Sequence, residues 1–169
     1  MKFIDTRRSV REYSEKVVSD KDIKKILDAA MQAPSARNQQ PWEFLVVKDQ
    51  EKKEKIASMV PAMRMASGAS FLIVFLTNKE RITAPLYYLQ DMASTTTIAM
   101  LEARSLGIGS VWCGGAPNKD RVKIIKDVFD IKDDNLEPFS LVCFGYPKDE
   151  EIFKKAKRFD KKRIHNEVI

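Results

Sequence analysis

Apolar positions along this chain fall into segments of two different periods. Ile23, Ile26, Leu27, Ala30 and Met31 recur at the spacing of one helix face, which predicts a helix opening at Ser19 and closed by Pro34. Ser19 followed by Asp22 is a weak form of capping box at its start. Residues 4–8 suit a short helix, 50–59 a charged one, and 118–129 another, with Val122, Ile125, Val128 and Phe129 on one side. Apolar runs at 44–47, 71–76, 111–113 and 139–144 read as strands. The run 71–76 is apolar on both faces, so it belongs at the centre of a sheet. The longest helix is expected from Pro85 to about Leu106, stopped by Gly107. Its middle, 93–100, is small or apolar on nearly every side and predicts burial all round, at a subunit interface in preference to the centre of the domain. The pattern as a whole gives an α+β or α/β sandwich, helices around one sheet, in a single domain of 169 residues.

Three polar features interrupt this pattern. Arg7-Arg8-Ser9-Val10-Arg11 puts three guanidiniums and a hydroxyl in five residues, a donor set able to make bidentate bonds to a phosphate. A solvated basic turn, a phosphorylation sequence or a nucleic-acid arm would look the same. The stretch Pro34-Ser35-Ala36-Arg37-Asn38-Gln39-Gln40-Pro41-Trp42 is bracketed by prolines that stiffen it just before a strand. Its hydroxyl, guanidinium and amide side chains suit a polar ligand, although an ordinary polar connection has the same composition. Gly114-Gly115 follows a short strand and lets backbone N–H groups approach a flat ligand. Residues 61–70, rich in Met and Ala, are expected as a loop or short helix near a ligand, or as plain packing. A phosphorylated aromatic cofactor would use all three features: arginines for phosphate, amides for the polar ring edges, open backbone for the ring face.

Composition narrows the function classes. The chain is 44% hydrophobic and 32% charged, ordinary for a globular protein. An acid at position 5 precedes any apolar run, so no signal peptide is expected, and 71–76 is too short to span a bilayer. A soluble, cytoplasmic protein is the expectation. Cys113 and Cys143 lie in apolar surroundings and read as buried thiols. One histidine, His165, and no paired Cys or His spacing argue against zinc or iron. Formal net charge is +6, an affinity for anions, and the cations gather at the two ends. The tail, 148–169, is highly charged, with Phe153, Phe159, Ile164, Val168 and Ile169 spaced through it, and is expected to pack on something such as a partner subunit.

Neither a dinucleotide-binding glycine pattern nor a phosphate-binding GxxxxGK[ST] loop is present. The order of the landmarks instead resembles the FMN-dependent nitroreductases, over nearly the full chain. They are Arg7-Arg8-Ser9-Val10-Arg11; Pro34-Ser35, Asn38 and Gln40-Pro41-Trp42; Gly109-Ser110-Val111-Trp112-Cys113-Gly114 with Pro117; Gly145-Tyr146-Pro147; and Arg158-Phe159-Asp160 with Arg163 and His165. The resemblance implies an α+β fold with a central mixed, mainly antiparallel sheet flanked by helices. It also implies an intertwined homodimer with FMN at the interface. Carried over by position, Arg7 and Arg158 hold the phosphate with Arg8 and Ser9 beside it, and Arg11 reaches the pyrimidine edge of the ring. Pro34, Ser35, Ala36 and Asn38 come from the other subunit. Backbone N–H groups around Cys113 and Gly114 face the flavin nitrogen that accepts hydride, leaving the thiol of Cys113 without a role.

The implied activity is transfer of hydride from NADH or NADPH through FMN to a nitroaromatic, a quinone or a similar electron-poor acceptor. No catalytic side chain, metal, membrane or nucleic acid is called for. Three other readings stay open: a flavin-storage protein, a specialised flavoenzyme that fragments flavin or removes halogen, and, from the +6 charge, a nucleic-acid binder. The turn Gly114-Gly115-Ala116-Pro117 lacks the bulkier residue the family often carries before the proline, and the terminus lacks an aromatic residue.

Overall fold

The computed structural model describes residues 2–168; Ile169, counted above among the apolar residues of the tail, lies outside them. Four strands, β1 (Trp42–Val47), β2 (Phe71–Asn78), β3 (Gly109–Gly114) and β4 (Leu136–Gly145), form one sheet in the order β1-β2-β4-β3. Every ladder between them is antiparallel; the parallel component is a single bridge from Ser9 to Ser110 at the free edge of β3. Alternation along the central strands builds two cores. Phe71, Ile73 and Phe75 of β2 join Val142 and Phe144 of β4 on one face, while Leu72, Val74 and Leu76 join Leu141 and Cys143 on the other.

Helices α2 (Asp20–Met31) and α4 (Tyr88–Ser105) cover the first face through Ile23, Ile26, Ala30, Met92, Ala99 and Ala103. Helices α3 (Gln50–Met59) and α5 (Lys119–Phe129), with the short turn Pro61–Ala66, cover the second. Helix α1 is Lys2–Thr6. Side-chain caps set the helix starts. Ser19 Oγ accepts from the Asp22 N–H at 3.2 Å, Asp49 Oδ1 from Lys52 at 2.8 Å and Asn118 Oδ1 from Arg121 at 3.0 Å. Gly107, at φ +77°, ends α4 in a left-handed turn, with Ile108 N–H donating to Ala103 O at 2.8 Å.

Two expected boundaries shift, each for a local reason. Helix α4 begins at Tyr88 rather than at Pro85, because the N–H groups of Thr83 and Ala84 donate to Gln39 Oε1 at 2.9 and 2.8 Å and hold that segment in a turn. Strand β4 begins at Leu136 and tolerates Pro138, which has no N–H to give, because the β2 register slips there between Phe75 and Leu76. Burial of α4 is one-sided within a single chain: Thr95 and Thr96 are buried, Thr97 and Leu89 exposed. The tail apolar residues Phe159, Ile164 and Val168 are likewise exposed on this chain. No described helix is long and apolar enough to cross a membrane.

Lys53 on α3 is a cation in the second core, 6% exposed, its Nζ donating to Ala69 O at 2.7 Å. Burial lowers its pKa from the ordinary lysine value, only partly offset by Glu54 and Asp49. Between the lowered folded value and the ordinary unfolded one, the unfolded chain binds more protons, so stability rises with pH across that window. The raised pKa of the neighbouring Cys143 thiol acts in the opposite sense at the upper end, so the expected result is a difference: in urea unfolding from about pH 7 to about pH 10, the wild type gains stability relative to Lys53→Met as pH rises. An unchanged slope in the variant would remove Lys53 as the source of that gain.

Candidate functional site

The chain from Arg7 to Ser14 is held against the β3 edge and the end of β4. Val10 N–H donates to Ser110 O at 3.0 Å, Ser14 N–H to Tyr146 O at 2.9 Å, and Lys148 N–H to Glu12 O at 3.1 Å. Tyr13 Oη locks the segment by donating to Val10 O at 2.8 Å and Cys143 O at 3.2 Å. Beside it opens a cleft of about 520 Å³ lined by Ile4, Asp5, Arg7, Arg8 and residues 155–159, five cations against one carboxylate. That carboxylate, Asp5, is paired with Lys155 at 3.0 Å. Burial, then the Arg158 and Arg8 guanidiniums, lower the pKa of Arg7 from its ordinary value. Positive charge in excess of that single acid suits an anion such as phosphate. Arg8 is largely spent on its own chain, donating to the carbonyls of Asp5, Arg7 and Lys154, so it braces the cleft.

Ser9 and Arg11 line a neighbouring cleft of about 730 Å³. The exposed Arg11 is close enough to the Cys113 thiol to favour its charged form, after the larger effect of a hydrogen bond with Cys143. Register decides which β3 backbone groups are free. Ser110 O points outward to Val10, so alternation turns the N–H groups of Trp112 and Gly114 outward as well, whereas Cys113 faces the β4 ladder. Of the two positions expected to offer a backbone N–H, Gly114 is thus at the free edge and Cys113 is not. The Cys113 thiol points into the second core, 3.7 Å from Ala62 O and 3.8 Å from Met65 Sδ. The two glycines also part company. A Cβ on Gly115 would lie 2.7 Å from Pro138 O, so the fold requires glycine there, while a Cβ on Gly114 would meet nothing within 4 Å. Space over Gly114 is left open by this chain.

The proline-bracketed loop stands at the other side of the sheet. Arg37, Asn38 and Gln40 all have positive φ (+52°, +53° and +45°), unusual for residues with side chains. A buried network holds them: Asp91 of α4, 5% exposed, accepts the Ala36 N–H at 2.9 Å and the Gln39 Nε2 at 2.5 Å. Ser35 Oγ accepts the Gln40 N–H at 3.1 Å, and Asn38 Oδ1 accepts the Gln40 Nε2 at 3.0 Å. Pro34 and Asn38 are exposed, Ser35 and Ala36 half-buried.

Within one chain the predicted residues other than Cys113 therefore form two groups. Arg7, Arg8, Ser9, Arg11, Gly114 and Arg158 gather around the free edge of β3 and the root of the tail. Pro34, Ser35, Ala36 and Asn38 precede β1, the opposite edge strand, three strand spacings or about 14 Å across the sheet. Sequence reasoning passed over Asp91, Tyr13 and Arg104, and placed Gln39 in the polar loop without its structural part. Asp91 had a usable signal, an acid heading an otherwise small and apolar stretch of helix. The other three depend on contacts far apart in sequence.

Residues 4–63 and 57–146 match the Nitroreductase family. A protein of Archaeoglobus fulgidus, provisionally named NADH dehydrogenase/NAD(P)H nitroreductase, is 44% identical over 169 residues, covering 99% of this chain and 97% of its own. The crystal structure of a provisionally named NADH oxidase from Clostridium acetobutylicum matches with a TM-score of 0.94 and 41% identity, covering 99% of each chain. A solved FMN-dependent nitroreductase from Clostridium difficile matches with a TM-score of 0.88 and 25% identity, over 99% of this chain and 98% of that one.

Proposed function

The chain belongs to the nitroreductase family, and from that premise we propose that it is an NAD(P)H-dependent oxidoreductase that binds FMN and reduces electron-poor acceptors such as nitroaromatics or quinones. The observation that carries this reading is that the segment leading out of a cation-rich cleft, from Arg7 to Arg11, lies against the free edge of β3, the strand on which Gly114 leaves its backbone bare. A phosphate at one end of a ligand and a flat ring at the other would use both. Bound FMN would supply the chemistry, accepting hydride from NAD(P)H and passing it on.

The chain itself binds and orients. Arg7 and Arg158 would hold the phosphate, with Ser9 beside them. Arg11 would stand at the pyrimidine edge, where a cation favours the negative charge that reduction places there. The outward N–H of Gly114 would donate to the ring edge it faces. Pro34, Ser35, Ala36 and Asn38, in the loop that leads into the opposite edge strand, would serve the cofactor of a second copy. The exposed apolar residues Leu86, Leu89, Phe159 and Val168 are the surface such a homodimer would cover.

The test is a visible spectrum of the purified protein, repeated without oxygen after adding NADH and NADPH in turn. A yellow protein that bleaches is expected. A yellow protein that neither nucleotide bleaches would support flavin storage instead, and a colourless one that takes up no added FMN would end the flavin reading.

A further inference from the structure

Arg104, in the last turn of α4, does not line the cation-rich cleft but touches both of the segments that form it. Its guanidinium lies over the Phe153 ring, Cζ 3.8 Å from the ring centroid, and its Nε donates to Thr6 Oγ1 at 3.1 Å. Thr6 is 5% exposed and immediately precedes Arg7. Phe153 is half-buried and leads into the tail that carries Lys155, Lys157 and Arg158. Beyond Phe153 the tail touches its own chain through Lys154 O to Arg8 and Lys155 to Asp5, while Phe159 and Val168 are exposed. The position of its root therefore governs where Arg158 can reach.

Cations gathered in one cleft repel each other until an anion arrives, so something else must hold them together. Arg8 contributes from one side by donating to Lys154 O. We propose that Arg104 is a positioning residue for the phosphate cleft: by clamping Thr6 and Phe153 to α4, it presets Arg7 and Arg158 to receive one phosphate between them. This rests on the reading of the cleft as the FMN phosphate site. The clamp acts on the phosphate end of the ligand alone, since Arg11 and Gly114 are held through β3 and β4.

FMN and riboflavin differ by that phosphate, so their affinities separate positioning from general damage. Both flavins are titrated into flavin-depleted full-length protein and followed by fluorescence, for the wild type, Arg104→Met, Arg104→Lys and Thr6→Val. Arg104→Met is expected to weaken FMN about tenfold and leave riboflavin unchanged. Arg104→Lys, which keeps a cation over the ring but loses the Nε donor, should fall between. Thr6→Val should move in the same direction by less, and it remains informative if Arg104→Met folds poorly. Equal weakening of both flavins, or no change in either, overturns the proposal while the phosphate reading stands. A wild type that does not prefer FMN to riboflavin overturns the phosphate reading, and the clamp falls with it.

Discussion

Arg7→Ala combined with Arg158→Ala is expected to purify largely free of flavin. Each guanidinium bonded to a phosphate contributes about 1.5–3 kcal/mol, and Arg158 is exposed, so the lower figure applies to it. Together the two substitutions remove about 3 kcal/mol or more, roughly a hundredfold in affinity. The same substitutions remove the two main causes of the lowered Arg7 pKa, partial burial of its cation and then its repulsion with Arg158, so the flavin-free variant should be no less heat-stable than the flavin-free wild type. The ratio of flavin to protein absorbance, read beside the melting temperature, checks both halves. A double variant as yellow as the wild type would show that the phosphate lies elsewhere.

Asp91→Ala carries the largest expected cost in stability. Both carboxylate oxygens are used, one by the Ala36 N–H and one by the Gln39 amide. Gln39 cannot turn its amide over to compensate, because its oxygen already accepts the N–H groups of Thr83 and Ala84. Losing the acceptor leaves two poorly hydrated donors, at about 1–3 kcal/mol each. It also frees a loop whose Arg37, Asn38 and Gln40 are held at positive φ. A loss of about 3 kcal/mol corresponds to a fall of about 6–12 °C in melting temperature for a chain of this size. Asp91→Asn should fall by less, since its amide offers one acceptor where two donors need one. Calorimetry on both variants decides it, and an Asp91→Ala protein melting within about 2 °C of the wild type would mean the network holds nothing.

Asp91 and Arg104 are 13 residues apart on the same helix, about 20 Å along its axis. One end of α4 holds the proline-bracketed loop through Asp91, and the other end touches Thr6 and Phe153 through Arg104. The apolar middle of this helix was plain in the sequence; that its two polar ends hold two distant segments was not. A hydrogen bond between positions 36 and 91, or a ring contact between 104 and 153, leaves no period and no motif.

What the sequence determined by itself was whatever depends on near neighbours along the chain. The cap at Ser19, the left-handed stop at Gly107 and the two-faced run at 71–76 are of this kind, because helix and strand periods are local. The order of the cation cluster, the proline-bracketed loop and the glycine turn pointed to the family in the same way. Tertiary structure alone decided the strand order, and with it that residues 34–38 lead into one edge strand of the sheet while Gly114 lies on the other. It also decided that Gly114, not Cys113, turns its N–H outward, since that follows from which edge of β3 pairs with β4. And it decided that Arg8 braces the cleft through backbone carbonyls. The physical reason is the same in each case: these outcomes depend on which distant segment fills the space beside a residue, and packing, not local preference, sets that.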